Sequence, residues 1–189
     1  TAGEAWSLEH IHAQNAQGLA TEAHWRAWLS HHLDEIKRTR WDAGTSDSAI
    51  KIEGEITSTL LRTSIQRDDT LAAKVISLFS ATEDAEEDEE LHGIENLALL
   101  QGDVNSELND AVFSVKRRRV LKHDFDGDFI LPCTRNVFLK YYSEADGLGL
   151  HIWGPRDREA YVTKLFELLD SADAKHPSYL ISDGAGADA

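Results

Sequence analysis

The sequence of 189 residues contains a single cysteine, Cys133, and no methionine. One cysteine cannot form a disulfide within the chain, which excludes a disulfide-stapled secreted domain and is typical of a reducing compartment such as the cytoplasm. No apolar run approaches the roughly 18 residues that a membrane-spanning helix needs, and no signal-peptide pattern opens the chain. Because the chain begins at Thr1 and lacks methionine, we expect it to be a piece of a longer protein.

Positive charge is also scarce, with 19 Lys and Arg against 34 Asp and Glu, so the formal net charge is −15. Phosphate contacts need Lys and Arg, so the total charge argues against a nucleic-acid surface. The charges are segregated, however: seven of the eight residues in 83–90 are acidic, whereas 116–122 holds five basic residues and no acid. Because local fields decide what docks at a given face, 116–122 is either a phosphate-binding surface or a solvated helix face.

Apolar periodicity predicts an α+β chain that is mostly helical, with a long helical insertion between its two strands. Residues 1–180 are expected to form a single domain, followed by a disordered tail over 181–189. In chain order, the predicted elements are a strand at 6–12, helices at 21–38, 46–66 and 69–80 within an insertion spanning 21–90, a strand at 94–100, a helix at 104–122, and a C-terminal helical part at 129–170 whose last helix begins at Gly154-Pro155.

Three polar groups fall on the two predicted strands and the helix that follows them. Glu9-His10 lies on the first strand, Asn96 on the second, and Asn105 near the start of the helix. An imidazole that accepts a proton near neutral pH, beside oxygen ligands for a hard divalent cation, is the minimum for metal-assisted hydrolysis. Mg²⁺ suits a site with one or two protein oxygens, water and substrate phosphates.

Three segments carry a resemblance to a known family. They are Trp-Ser-Leu-Glu-His-Ile-His-Ala-Gln at 6–14, Gly-Ile-Glu-Asn-Leu-Ala-Leu-Leu at 93–100, and Asn-Ser-Glu-Leu-Asn-Asp-Ala-Val-Phe-Ser-Val-Lys-Arg at 105–117. In this order they resemble the HNH nuclease domain of GmrSD-type restriction enzymes, whose pattern is roughly S-L-E-H-I-x-P-Q, then G-N-L-x-L-L, then N-x-x-L-x-N-x-x-F-x-x-K. The stretch 129–142 is also similar to the C-terminal part of such proteins, so the resemblance extends from residue 6 to about residue 170.

The resemblance implies a ββα-metal finger that holds one Mg²⁺ or Mn²⁺ ion and hydrolyses a DNA phosphodiester. His10 would be the general base, Asn105 and Glu9 would be metal ligands, and Asn96 would brace the site by hydrogen-bonding the backbone or orienting His10. It further implies a cytoplasmic phage-defence enzyme whose substrates include modified phage DNA. Its partner would be an N-terminal nucleotide-hydrolysing domain that is missing from this chain.

Two positions depart from the family pattern: Ala13 replaces the usual proline, and His12 stands where an apolar residue is common. Strand alternation puts His12 on the same face as His10, so we expect it to contact DNA or substitute as a base. The same alternation puts Glu9 on the opposite face, so it reaches the ion only if the strand bends or ends there. The remaining expected DNA contacts are Asn109, for which helix capping is an equal alternative, and Lys116, Arg117, Arg118 and Arg119.

Two other functions compete with the DNA endonuclease. One is a catalytically degenerate HNH scaffold that binds DNA or protein, which the acidic composition favours. The other is cleavage of RNA, or nicking of one DNA strand. A zinc site is not expected, because His31 and His32 lie on a predicted helix and have no cysteine pair to accompany them.

Overall fold

The computed structural model describes residues 6–13, 16, 18–80, 93–101, 110–143 and 147–175. In this part the chain forms a two-stranded antiparallel sheet and six α-helices, as the α+β prediction expected. The elements are β1 (Trp6–His10), α1 (Glu22–Arg38), α2 (Ser46–Leu60), α3 (Asp69–Leu78), β2 (Leu97–Gln101), α4 (Phe113–Asp126), α5 (Pro132–Leu139) and α6 (Pro155–Lys175). Short 3-10 turns span Ile94–Asn96 and Gly147–His151.

The sheet joins two strands that lie about 85 residues apart in the sequence, with α1–α3 inserted between them. Its register pairs Glu9 with Ala98 and His10 with Leu97. The outer edge of β2 is covered, because Thr134 on α5 donates a hydrogen bond to the Leu99 carbonyl (2.6 Å) and Tyr161 on α6 donates one to the Leu97 carbonyl (3.2 Å). Side chains from two helices therefore satisfy carbonyls that a lone hairpin would leave to water.

The helical insertion follows the predicted pattern, with local corrections. Thr21 caps α1 by accepting from the His24 N–H (3.1 Å), as expected for a threonine at that position. α2 ends at Leu60 rather than at residue 66, because the guanidinium of Arg26 on α1 binds the Leu60 carbonyl and those of the next turn. α3 is capped by Asp68, whose carboxylate accepts from the N–H groups of Thr70 and Leu71.

The helix predicted over 104–122 is corrected most. It begins at Phe113 and runs to Asp126, because Asp110 adopts a left-handed conformation (φ 61°) and Ala111 and Val112 are not helical. Residues 102–109, which include Asn105 and Asn109, lie outside the described part of the chain.

Two apolar cores meet at α4. Val112 and Val115, at its start, pack with α1–α3, whereas Phe113 and Val120 pack with the sheet, α5 and α6. Phe113 stacks on Phe138 with ring centroids 5.7 Å apart. Because one helix contributes to both cores, the insertion and the sheet are held in one arrangement around it. Among the described helices, none combines the length and apolar composition that crossing a bilayer requires.

Candidate active site at the end of the first strand

The 93–100 motif holds the 6–14 motif in place through Asn96. Its side chain is fully buried, accepts from the His12 N–H (3.0 Å) and donates to the His12 carbonyl (3.2 Å). Its own backbone carbonyl accepts from the Ile11 N–H (2.7 Å). A primary amide is suited to this, because it carries an acceptor and donors on one rigid group. Asn96 therefore fixes the backbone just after His10, and the contact is to residue 12 rather than to the His10 ring.

The 105–117 motif contacts the 6–14 motif through Lys116, which is the lysine of its F-x-x-K pattern. Its ammonium is fully buried and lies 2.6 Å from Glu9 Oε1 and 2.5 Å from the His10 carbonyl oxygen. Burial lowers the pKa of Lys116, and the adjacent Glu9 carboxylate opposes that shift and holds the charged form. The ion pair therefore fixes β1 against α4 at the two residues that the resemblance made central.

This ion pair alters two predicted roles. A lysine with no exposed surface is not positioned to contact a DNA phosphate, so the expected phosphate contact of Lys116 does not fit the structure. Glu9 was expected to bind a metal ion, but the ammonium already neutralises its carboxylate and would repel a divalent cation. Glu9 and Lys116 thus act on the position of the strand.

His10 is the last residue of β1 and is half-buried. Because alternate residues of a strand share a face, His10 lies on the face of Leu8, opposite Glu9. The predicted opposition of Glu9 and His10 is therefore observed. With its backbone held by Lys116 and the next residues held by Asn96, His10 stands on a doubly anchored strand end.

His12 does not share the His10 face, because β1 ends at His10 and the chain bends at the next two residues. Its ring is buried, and Nδ1 accepts from the Phe113 N–H (3.2 Å) at the start of α4. Burial, with the positive charges of Lys116 and Arg158, lowers the pKa of His12 to about 3. A neutral, buried ring that caps a helix does not serve as the DNA contact or substitute base expected from the sequence.

His32 has the same role from the insertion, and nothing in the sequence pointed to it. Its Nε2 accepts from the Val112 N–H (3.2 Å), and Nδ1 therefore carries the proton that bonds the Trp28 carbonyl (2.7 Å). Burial lowers the pKa of His32 to about 3. The two imidazoles satisfy adjacent N–H groups at a helix start that has no Ser, Thr, Asp or Asn cap.

Asp110 is a further residue that the sequence did not single out. It accepts from the Gly18 N–H (2.8 Å), and its carbonyl accepts from Trp28 Nε1 (2.7 Å). Burial raises the pKa of Asp110, against the opposing effects of the Gly18 hydrogen bond and the Lys116 charge. Its positive φ, which Asp tolerates better than most residues, sets where α4 can begin.

The described side chains do not by themselves fit the metal ion that the resemblance implies. Among the residues that the structure describes, no three His, Cys, Asp or Glu side chains come together in a way that could hold an ion. The carboxylate nearest His10 in sequence, that of Glu9, is paired with an ammonium. The expected ligand Asn105, and Asn109 after it, lie outside the described residues, so an ion here would depend on the 102–109 segment.

Comparison with known proteins adds no assignment: the chain matches no family model, no curated protein and no solved structure. The geometry alone therefore carries the functional argument. The described residues include the half-buried imidazole of His10 at the end of β1, the buried ammonium of Lys116 against the same strand, and three consecutive arginines on α4. Imidazole is the side chain that most often serves as the general base in hydrolysis.

Proposed function

We propose that this chain is an HNH-type, Mg²⁺-dependent DNA endonuclease domain with His10 as its general base. The observation that supports the proposal is the convergence of the three motifs: Asn96 of the second and Lys116 of the third both bind the end of the strand that carries His10. The three motifs span more than 100 residues of the sequence, and packing of the fold does not by itself require all three to meet at one point. Their meeting at a histidine favours a common catalytic purpose.

In this proposal the residues divide the work. His10 accepts the proton of the attacking water, and Asn96 and Lys116 are positioning residues that hold its backbone. Asn105, from the segment before α4, would hold the ion, which when bound supplies charge stabilisation at the phosphate. DNA, including modified phage DNA, is the proposed substrate, a separate N-terminal domain the proposed partner, and the cytoplasm the proposed location.

Plasmid nicking in Mg²⁺ tests the assignment. We expect His10→Ala to lower the cleavage rate at least 100-fold, since general-base catalysis contributes about 10² to 10⁴. Asn105→Ala should lower it comparably. The matched control is His24→Ala, which removes an exposed imidazole on α1. Equal cutting by all four proteins would remove the nuclease assignment.

A catalytically degenerate HNH scaffold is the second candidate, and the Glu9–Lys116 pair favours it. Because the Glu9 carboxylate is paired with the buried Lys116 ammonium, it does not serve as a ligand for a metal ion. Titration calorimetry with Mn²⁺ separates the two functions. Binding that Asn105→Ala abolishes supports the enzyme, whereas absent ion binding with retained DNA binding selects the scaffold. Offering RNA and single-stranded DNA in the nicking assay tests the remaining alternative substrates.

A further inference from the structure

A groove lies between the C-terminal end of α5 and one face of α6, and the proposed nuclease chemistry makes no use of it. Its volume is about 480 Å³, within the range of about 300–1,000 Å³ that is typical of small-molecule sites. Tyr141 and Tyr142 line one side of it. Residues that recur every three or four positions on α6 line the other side, among them Arg156, Glu159, Thr163 and Lys164.

A buried ion pair fixes the two sides of the groove to each other. Lys140, which directly precedes the tyrosines, binds Asp157 in the first turn of α6 (2.6 Å), and both residues are buried. The same carboxylate accepts from the Gly154 N–H (2.9 Å) and from the Ser143 hydroxyl. Because the groove is already ordered, a ligand that binds there loses little of its affinity to the ordering of the protein.

The ring of Tyr142 is held in place as well. It stacks on the ring of Tyr161 on α6, with centroids 5.9 Å apart, and the Tyr161 hydroxyl donates to the Leu97 carbonyl (3.2 Å). Leu97 is the residue that pairs with His10 in the sheet. The groove is therefore connected through one tyrosine to the strand that lies beside the proposed general base.

Three groups that line the groove have no partner among the residues that the structure describes. The side chain of Tyr141 is 73% exposed, and its ring stacks on no other described ring. Arg156 and Glu159 lie about one turn apart on α6, and neither forms an ion pair or a side-chain hydrogen bond within this part of the chain. The groove therefore offers a ligand one aromatic face, one cation and one carboxylate acceptor.

We propose that this groove binds one nucleotide unit, with its base stacked on Tyr141, its phosphate on Arg156 and the pairing edge of the base facing Glu159. Every base has a π-face that can stack on an exposed aromatic ring. A guanidinium binds phosphate oxygens through paired N–H donors, and an ionised carboxylate only accepts hydrogen bonds. Glu159 therefore favours guanine, which has adjacent N–H and amino donors on its pairing edge, over thymine, which has a single N–H there.

The charges of the groove favour one nucleotide unit over a long stretch of backbone. Lys164 is paired with Glu167 (2.9 Å), and Arg156 is balanced by Glu159, so the described lining has no net charge. A surface that follows a nucleic-acid backbone instead needs an excess of Lys and Arg. The nucleotide class follows from these groups, whereas a DNA strand as the source of the nucleotide rests on the proposed function.

Titration calorimetry in chelator tests the proposal without requiring cleavage, with deoxyguanosine 5′-monophosphate, deoxyguanosine and thymidine 5′-monophosphate as probes. We expect Tyr141→Ala to weaken binding of both guanine probes at least about fivefold, because the base loses its stacking partner. Tyr141→Phe keeps the ring and should keep the wild-type affinity. Arg156→Gln should weaken binding of the guanine monophosphate about tenfold and leave the affinity for deoxyguanosine unchanged. Glu159→Gln should reduce the preference for guanine over thymine.

The matched control is Arg40→Gln, which removes an exposed guanidinium that does not line the groove. It should bind all three probes as the wild type does. The side chains of Tyr141 and Arg156 take no part in the Lys140–Asp157 contacts that join α5 to α6. We therefore expect their variants to unfold at the wild-type temperature, so that a loss of binding reports on the groove.

A short guanine-containing single strand distinguishes the two sources of the nucleotide. Binding of the strand that Tyr141→Ala weakens supports a nucleotide within a strand, whereas binding of the monophosphate without competition by the strand supports a free nucleotide. The proposal is overturned if the wild type binds neither probe saturably, or if Tyr141→Ala and Arg156→Gln bind both as the wild type does. Because no ion is present, a protein that shows the expected pattern but never nicks plasmid contradicts the nuclease assignment alone.

Discussion

Replacing Lys116 with methionine should destabilise the fold far more than removal of a surface lysine. Lys116 has no exposed surface and Glu9 retains only 11%, so the variant leaves a nearly buried carboxylate without its counter-ion. Breaking a buried pair in this way costs about 3–5 kcal/mol. Because Glu9 keeps some contact with water, we expect a value near the lower end, about 3 kcal/mol.

Urea unfolding followed by tryptophan fluorescence measures this effect. With a urea m-value of about 2 kcal/mol per molar, the midpoint should fall by about 1.5 M. The matched control is Lys74→Met, which breaks the Lys74–Glu55 pair (2.7 Å) whose side chains are 43% and 32% exposed. Exposed pairs contribute about 0.2–1 kcal/mol, so its midpoint should fall by less than about 0.5 M.

The double variant Glu9→Gln, Lys116→Met completes the test. Since it removes the unpaired charge, it should recover at least half of the stability lost in Lys116→Met. Equal midpoints for Lys116→Met and Lys74→Met, or no recovery in the double variant, would refute the reasoning that a buried ion pair fixes β1 against α4.

Two further predictions concern the groups beside this pair. Asn96→Ala should lower the free energy of unfolding by about 2–3 kcal/mol, because it leaves the buried N–H and carbonyl of His12 unpaired. Urea unfolding would measure this loss, with Ser58→Ala at an exposed position of α2 as the control. The pKa of His12 and of His32 is about 3 in the folded protein, below the value of 6.5 expected for the unfolded chain. Between these two pH values the unfolded chain binds more protons than the folded protein. The protein therefore loses stability as the pH falls from 6.5 toward 3. In this pH range each ring lowers the free energy of unfolding by about 1.4 kcal/mol per pH unit. Urea midpoints that stay constant between pH 6.5 and 5 would contradict the burial of these neutral rings.

The helices of the insertion were largely predictable from the sequence, because their apolar stripes and the Thr21 cap are local signals. Their ends were less so: α2 stops at Leu60 through an Arg26 contact from another helix. The start of α4 was predicted nine residues too early for the same reason. The caps of that helix are the imidazoles of His12 and His32, about 100 and 80 residues away, which no local pattern reveals.

For the candidate site, the sequence by itself determined the motifs, their order and the opposition of Glu9 and His10, because strand alternation is a property of the backbone. Only the tertiary structure decided what each polar group contacts. Lys116 and Arg118 are two residues apart in one basic run, yet Lys116 is buried against Glu9 and Arg118 binds Glu35 on α1. The sequence sums their charges, whereas burial and the partner that each side chain meets across the fold decide how each charge can act.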